Sequence, residues 1–200
     1  MSQPTRCRFN EKLQREVCEL FLGEYHVAVG TQRVLSTLLG SCVAVCLYDS
    51  RSQVYGMNHF MIPGDLRQEN FFLEPDARYG IFAMELLING MMKAGAAKER
   101  LRAKIFGGGR LLALNGKDIA GSNIRFAQAF LEMEGIPIEA ADTGERVARR
   151  LFFMPQTHVV YVRKLPVTTG APLIQQEEAY ARRLQDQGGT LGELTLFGGD

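Results

Sequence analysis

The chain lacks an excess of charge of either sign. Its 23 basic and 22 acidic side chains among 200 residues leave a net charge of +1, which removes any global electrostatic case for binding nucleic acid. No apolar run approaches the ~20 residues that cross a bilayer, and Met1-Ser2-Gln3-Pro4-Thr5-Arg6 has no signal-peptide hydrophobic core. A cytoplasmic protein without membrane insertion is expected. Cysteine is scarce: residues 7, 18, 42 and 46 show no C-x-x-C spacing, so neither a zinc site nor a thioredoxin motif is expected, and no cofactor is called for. Four reduced thiols suit a cytoplasmic setting. Nucleotide-binding glycine motifs are missing as well. Gly107-Gly108-Gly109 are contiguous rather than spaced, and Asn115-Gly116-Lys117 runs into Asp118 where a P-loop needs Ser or Thr. That glycine run reads as a flexible loop at the sheet edge, near the mouth of the site.

What is present is enough apolar material, 46% of the chain, for the core of a single domain. It also contains one suggestive pair. Cys42 ends the turn Leu39-Gly40-Ser41-Cys42, and His59 lies in Gly56-Met57-Asn58-His59. A thiol becomes a useful nucleophile near neutral pH when a base or positive group stands beside it, and histidine supplies either. Val43 to Tyr48 reads as a buried strand ending at the Asp49-Ser50 turn, so two adjacent antiparallel strands would bring the pair together. Gly40 and Ser41 allow close approach of a substrate, and a tight turn can aim backbone N–H groups outward as an oxyanion hole. Cys46, inside the apolar run, reads as core.

Elsewhere the pattern is mixed. Asn10 caps an expected short helix carrying Leu13, Val17, Leu20 and Phe21 and stopping at Gly23. Tyr25 to Val29 alternates as a strand, with His26 read as a surface or edge-strand residue; His158, before Val159-Val160-Tyr161-Val162, is read the same way. Asp76 to Gly95 is the clearest helix, with Tyr79, Phe82, Leu86 and Leu87 on one side and Met84, Met91 and Met92 as gap fillers. A second helix follows Ser122-Asn123 to Gly135, and strand character resumes at Ile136 to Ala140. A layered α/β or α+β domain with mixed strands and two main helices follows. Gln175 to Gln187 reads as a short solvated helix with Glu178 and Arg182 as an i,i+4 pair. Leu191, Leu194, Leu196 and Phe197 are candidates for a docking strand.

Thr37-Leu38-Leu39-Gly40-Ser41-Cys42-Val43-Ala44-Val45 followed by Gly56-Met57-Asn58-His59 resembles the CheD family of chemoreceptor glutamine deamidases. Lys104-Ile105-Phe106-Gly107-Gly108, Ile119 to Asn123, Asp142-Thr143-Gly144 and a basic strand ending near Leu165 agree in order. The resemblance covers about residues 20 to 167. It divides the chain into an N-terminal segment with a short helix (1–22), a catalytic domain (23–167) and a C-terminal extension (168–200), and it implies an α/β/β sandwich. It further implies a cytoplasmic protein-glutamine glutaminase acting on methyl-accepting chemoreceptors, with Cys42 as nucleophile and His59 as base. A hydroxyl residue just upstream of the turn is the third member, Thr37 being favoured over Ser36. Glu145 and Ala120 stand where many members have glycine, changes that bear on loop shape and partner choice. The competing reading is a non-catalytic module docking on chemoreceptors or on a CheC-like phosphatase of the response regulator.

Overall fold

Two sheets and a helical layer are stacked so that one sheet is covered on both faces. The structure is a computed structural model and describes residues 6–30, 32–66, 71–111, 117–166 and 171–188. Along the chain come β1 (Arg6–Asn10), β2 (Arg15–Leu20), β3 (Tyr25–Val29), β4 (Arg33–Leu39), β5 (Val43–Asp49) and β6 (Val54–Asn58). There follow α1 (Ala77–Lys93), β7 (Arg102–Gly107), α2 (Ile119–Met133), β8 (Ile138–Thr143), β9 (Ala148–Phe153), β10 (Val160–Leu165) and α3 (Ala171–Gly188). The first sheet has the order β1-β2-β4-β9-β10 and the second β3-β6-β5-β7-β8.

The alternation of β5 explains the layering. Val43, Val45 and Leu47 point into a core shared with α1 and α2, where Met84, Leu87, Phe126 and Phe130 meet them. Cys42, Ala44 and Cys46 point the other way, into a second core between the sheets, against Leu35, Leu39, Leu151 and Phe153. A strand buried on both faces reads as the continuous apolar run seen in the sequence. The result is the expected α/β/β sandwich, with α3 adding a third α-helix.

The N-terminal segment departs from expectation. The helix expected after Asn10 is a hairpin: β1 pairs antiparallel with β2, and β2 runs parallel to β4. Asn10 does act as an acceptor, but its Oδ1 takes the Leu13 N–H at 3.1 Å within the hairpin turn, where Gln14 adopts φ 50°. The apolar spacing of Val17 and Leu20 fits a helix or a strand, and pairing to two neighbouring strands decides in favour of the strand. Cys7 and Cys18 are direct cross-strand partners and form a disulfide, which corrects the expectation of four reduced thiols.

Both main helices lie where expected, with shifts at their edges. α1 ends in Gly95 at φ 101°, but its buried stripe is Gly80, Met84, Leu87, Ile88 and Met91. Phe82 and Met92 are exposed, so the apolar face is rotated from the one expected. α2 begins at Ile119, because the Asp118 side chain accepts the Gly121 N–H. His26 is on the edge strand β3, and His158 stacks on Tyr48; both are buried rather than on the surface. The candidate docking strand from Leu191 to Phe197 lies outside the described residues.

Phe126 is fully buried among Phe60, Phe71, Phe72 and Phe130. Phe126→Ala should therefore cost about 3–5 kcal/mol. Urea unfolding checks this: the midpoint should fall with little change in slope, and a loss below about 1 kcal/mol, well short of that range, would contradict the packing described.

Candidate active site

The turn between β4 and β5 is held from behind by its carbonyls. Gly109 N–H donates to the Gly40 carbonyl at 2.7 Å, and Gly108 N–H donates to the Cys42 carbonyl at 2.7 Å. The Ser41 carbonyl accepts from Asn123 Nδ2 at 3.1 Å, while Asn123 Oδ1 accepts the Ile62 N–H at 2.7 Å. With the Gly40 and Ser41 carbonyls drawn outward, the Ser41 and Cys42 N–H groups of the same peptides turn inward, and the Gly40 N–H converges on the same point. Gly107, at φ 108°, has room for this contact only because it has no side chain: a Cβ would run into the Cys42 carbonyl oxygen. The glycine run is thus a clasp beside the turn, and β7, which leads into it, is an interior strand rather than a sheet edge.

The Asp142-Thr143-Gly144 stretch buttresses the clasp. β8 runs parallel to β7, and Gly144 N–H donates to the Gly107 carbonyl at 2.9 Å. Arg149, fully buried, pairs with Asp142 at 2.8 Å and donates to the Gly144 carbonyl at 2.8 Å. Glu145 occupies the left-handed region at φ 61° and accepts the Arg110 N–H through its carbonyl.

His59 reaches the site from the strand next to β5. Val43 and Phe60 exchange both backbone hydrogen bonds, at 3.1 and 3.0 Å. In that antiparallel register Cys42 and His59 project from the same face as diagonal neighbours. Across the gap between the sheets, Thr37 Oγ1 lies 2.8 Å from His59 Nδ1 and donates its own proton to the Leu20 carbonyl at 2.8 Å. Because the hydroxyl proton is committed to Leu20, its lone pair takes the Nδ1 proton, which leaves Nε2 as the basic nitrogen. Nε2 is buried with no hydrogen-bond partner among the described residues. Ser36, one residue earlier on β4, faces the opposite side of the sheet, in a cleft with Arg6, Val17 and Phe152. The structure therefore brings Thr37 and His59 into contact, sets Cys42 diagonally across from His59 in register, and leaves Ser36 on the other face of the sheet.

The point on which the three N–H groups converge is filled by Glu177 of α3. Its carboxylate accepts from Gly40 N at 3.1 Å, Ser41 N at 2.9 Å, Cys42 N at 3.3 Å and Ser41 Oγ at 2.6 Å. Gly40 is required for this approach, since a Cβ there would lie 2.8 Å from both carboxylate oxygens. Burial raises the Cys42 thiol well above its ordinary range, and the adjacent Glu177 charge raises it further. Burial also lowers His59, to about 3. With α3 in place the site therefore holds a neutral thiol and a neutral imidazole. Cys46 is buried and its thiol is likewise raised by burial, in keeping with a core role.

Sequence reasoning missed Glu177, Asn123 and the clasp. A signal for the first was present: Leu173, Glu177, Ala181 and Leu184 fall on one helical face, and all four are buried. Among the described residues no group of His, Cys, Asp and Glu is placed to hold a metal, and no helix is long and apolar enough to cross a membrane.

A family model described as CheD chemotactic sensory transduction matches residues 61–164, which takes in the clasp, Asn123 and Asp142 to Gly144. Similar curated proteins extend over the β4–β5 turn as well. A probable chemoreceptor glutamine deamidase CheD 1 of Shewanella oneidensis is 38% identical over 199 residues, 99% of this chain and 95% of its own. Its counterpart in Herminiimonas arsenicoxydans is 37% identical over 194 residues, 96% and 95% of the two chains. One from Bordetella petrii is 45% identical over 166 residues, 82% and 73%.

The depressed His59 has a consequence for stability. The unfolded chain takes up the imidazole proton near pH 6.5 while the folded chain refuses it until about 3, so the contribution is complete above pH 6.5 and is lost as pH falls through that window. Each pH unit should cost about 1.4 kcal/mol per such histidine. Urea unfolding at pH 7, 6 and 5 should show the loss, and His59→Gln should flatten its pH dependence by about one proton's worth; an unchanged slope would contradict a buried neutral imidazole.

Proposed function

This chain belongs to the CheD family, and from that membership we propose that it is a protein-glutamine deamidase converting glutamine side chains of methyl-accepting chemoreceptors to glutamate with release of ammonia. The observation that carries the reading is the pairing of a donor cluster, the Gly40, Ser41 and Cys42 N–H groups, with the Thr37-oriented base His59. An unactivated carboxamide needs these parts: a nucleophile, donors for the oxygen that becomes negative, and a group that moves a proton to departing ammonia.

In this mechanism His59 Nε2 takes the Cys42 thiol proton as sulfur attacks the carboxamide carbon. The tetrahedral oxyanion is held by the turn's N–H groups, and the proton passes from Nε2 to the leaving nitrogen as the C–N bond breaks. Water then attacks the thioester, again losing a proton to Nε2. The C–S bond breaks, and glutamate and the free thiol are regenerated. Thr37 keeps the imidazole in the required tautomer throughout, the part played by the third group in other triads.

Two finer points belong to the same proposal. Family membership supports a cytoplasmic setting, where receptor signalling domains are reached, and a CheC-like phosphatase is proposed as a second, regulatory partner. A binding function of that kind does not require turnover, so it should survive loss of the thiol.

Incubation of a chemoreceptor cytoplasmic fragment with the protein should add about 1 Da per modified glutamine, as expected when an amide becomes an acid through an acyl-enzyme. Peptide mass spectrometry should find no such gain with Cys42→Ala, although that variant should still bind the fragment. Conversion at the wild-type rate would remove Cys42 from its role. In the same assay Thr37→Val should slow turnover by roughly 100-fold, short of the ~10⁴-fold lost when a triad has the wrong tautomer, whereas Ser36→Ala should match the wild type. Equal rates for all three proteins would eliminate the hydroxyl as the orienting group.

A further inference from the structure

Nothing in the chemistry of Cys42, His59 and Thr37 calls for a buried glutamate, yet Glu177 is only 1% exposed. Removing a carboxylate from water is costly unless its oxygens are satisfied, and among the described residues Glu177 has no ion-pair partner. Its compensation comes from the Gly40, Ser41 and Cys42 N–H groups and the Ser41 hydroxyl. Those are the donors that hold the reacting carbonyl oxygen in the mechanism above. The same carboxylate's charge also acts on the Cys42 thiol and helps to hold its proton. Glutamate is also the product of the reaction.

α3 reaches the site along a trough. On one side of it lies a cleft of about 390 Å³ lined by Leu20, Leu22, Leu38 and His59; on the other lies one of about 690 Å³ lined by Gly23, Tyr25, Asn58, Phe60 and Tyr79. Tyr180 of α3 is a wall of both, so α3 stands between the two clefts, and His59 lines the smaller one. Leu173, Ala181 and Leu184 are the buried apolar anchors of α3, Tyr180 packs on Gly23, and the Tyr79 hydroxyl donates to the Leu184 carbonyl at 2.7 Å.

We infer that α3 is a product mimic acting in cis: Glu177 occupies the acyl site of Cys42, and α3 fills the trough in which a substrate helix lies, so that a glutamine-bearing helix must displace it before reacting. The inference rests on the deamidase reading and deepens it by naming a regulation of that same site. The reactive glutamine is presented from an α-helix, with apolar or small residues at −4, +4 and +7, the positions of Leu173, Ala181 and Leu184 relative to Glu177. The same placement makes a specific chemical demand. If Glu177 sits as a hydrolysed glutamine would, an amide at that position is itself a substrate. Cys42 sulfur would attack the side-chain carbon, the C–N bond would break with a proton delivered to ammonia from His59, and solvent water would hydrolyse the thioester to restore the glutamate.

The test is peptide mass spectrometry of full-length Glu177→Gln, alone and combined with Cys42→Ala. The expected result is a gain of about 1 Da at position 177 in the single variant and none in the double variant. An amide that persists at position 177 while the same protein deamidates a receptor fragment overturns the inference and leaves the deamidase standing; conversion that also occurs without Cys42 is spontaneous and overturns it too. Persistence together with no receptor deamidation by any form of the chain removes both readings. A second measurement uses Ala181→Arg, which should unseat α3. Iodoacetamide labelling of Cys42, resolved by peptide, should accelerate by about 10-fold or more as the thiol is uncovered, and receptor deamidation should speed up with it. A folded Ala181→Arg protein with wild-type values for both would also overturn the inference.

Discussion

Three consecutive backbone N–H groups aimed at one point are the constraint on which this site depends. A chain does not leave such an arrangement to chance, because adjacent peptide groups normally alternate in direction and each buried donor must find an acceptor. Here the direction is imposed from the carbonyl side. Gly109 and Asn123 draw the Gly40 and Ser41 carbonyls outward, so the Ser41 and Cys42 N–H groups of those same two peptides face inward, while Gly108 pins the Cys42 carbonyl that follows. This explains why stretches far apart in sequence work together. Lys104 to Gly108 supplies the clasp, Asp142 to Gly144 with the buried Arg149 stiffens it, and Asn123 ties the turn to Ile62, three residues beyond the base.

The electrostatic state of the site follows from what fills that point. With the Glu177 carboxylate present, negative charge and dry surroundings both hold the Cys42 proton in place, and burial keeps His59 uncharged. No thiolate–imidazolium pair forms under α3. Withdrawing the carboxylate removes a like charge from the nascent thiolate and admits water, and both changes move the thiol toward ionisation. Among the described residues His59 Nε2 has no competing partner and can accept the proton. The orienting bond from Thr37 does not depend on α3, since its second partner is the Leu20 carbonyl of β2. The base is preorganised, and the nucleophile is released only when the helix is exchanged.

Much of the scaffold was legible from local pattern because its elements are separated by strong punctuation. The apolar run of β5, the alternation of β3 and the Gly95 stop of α1 each carry their own signal. The N-terminal hairpin was not legible, since Leu13, Val17 and Leu20 satisfy a helical period, and only the β1 and β4 neighbours reveal Val17 and Leu20 as strand and Leu13 as turn. The Cys7–Cys18 link was hidden for the same reason: its residues meet through hairpin register, which spacing does not state. In the site, Cys42 and His59 could be picked out by residue type and turn context. The choice between Thr37 and Ser36 could not, because successive strand residues face opposite ways and the register decides which one meets the imidazole. Glu177 was the hardest to see. A glutamate in a charged, solvated-looking helix carries no mark of burial unless the stripe of Leu173, Ala181 and Leu184 around it is noticed.

A product mimic tethered to its own enzyme need not bind tightly. Joined covalently to the domain it covers, α3 meets the trough at a high effective concentration, so weak intrinsic affinity suffices to keep the site filled. A single free glutamine peptide would then compete poorly. A helix within a larger protein can do better, because contacts outside the acyl site add to its binding. Glutamine and glutamate are nearly the same size, so the exchange is decided less by fit than by charge. The turn's donors hold a carboxylate most firmly, and the deamidated side chain must be pulled from them on release. The tail's own carboxylate is positioned to take that place as the product leaves, returning Cys42 to its neutral, covered state between turnovers.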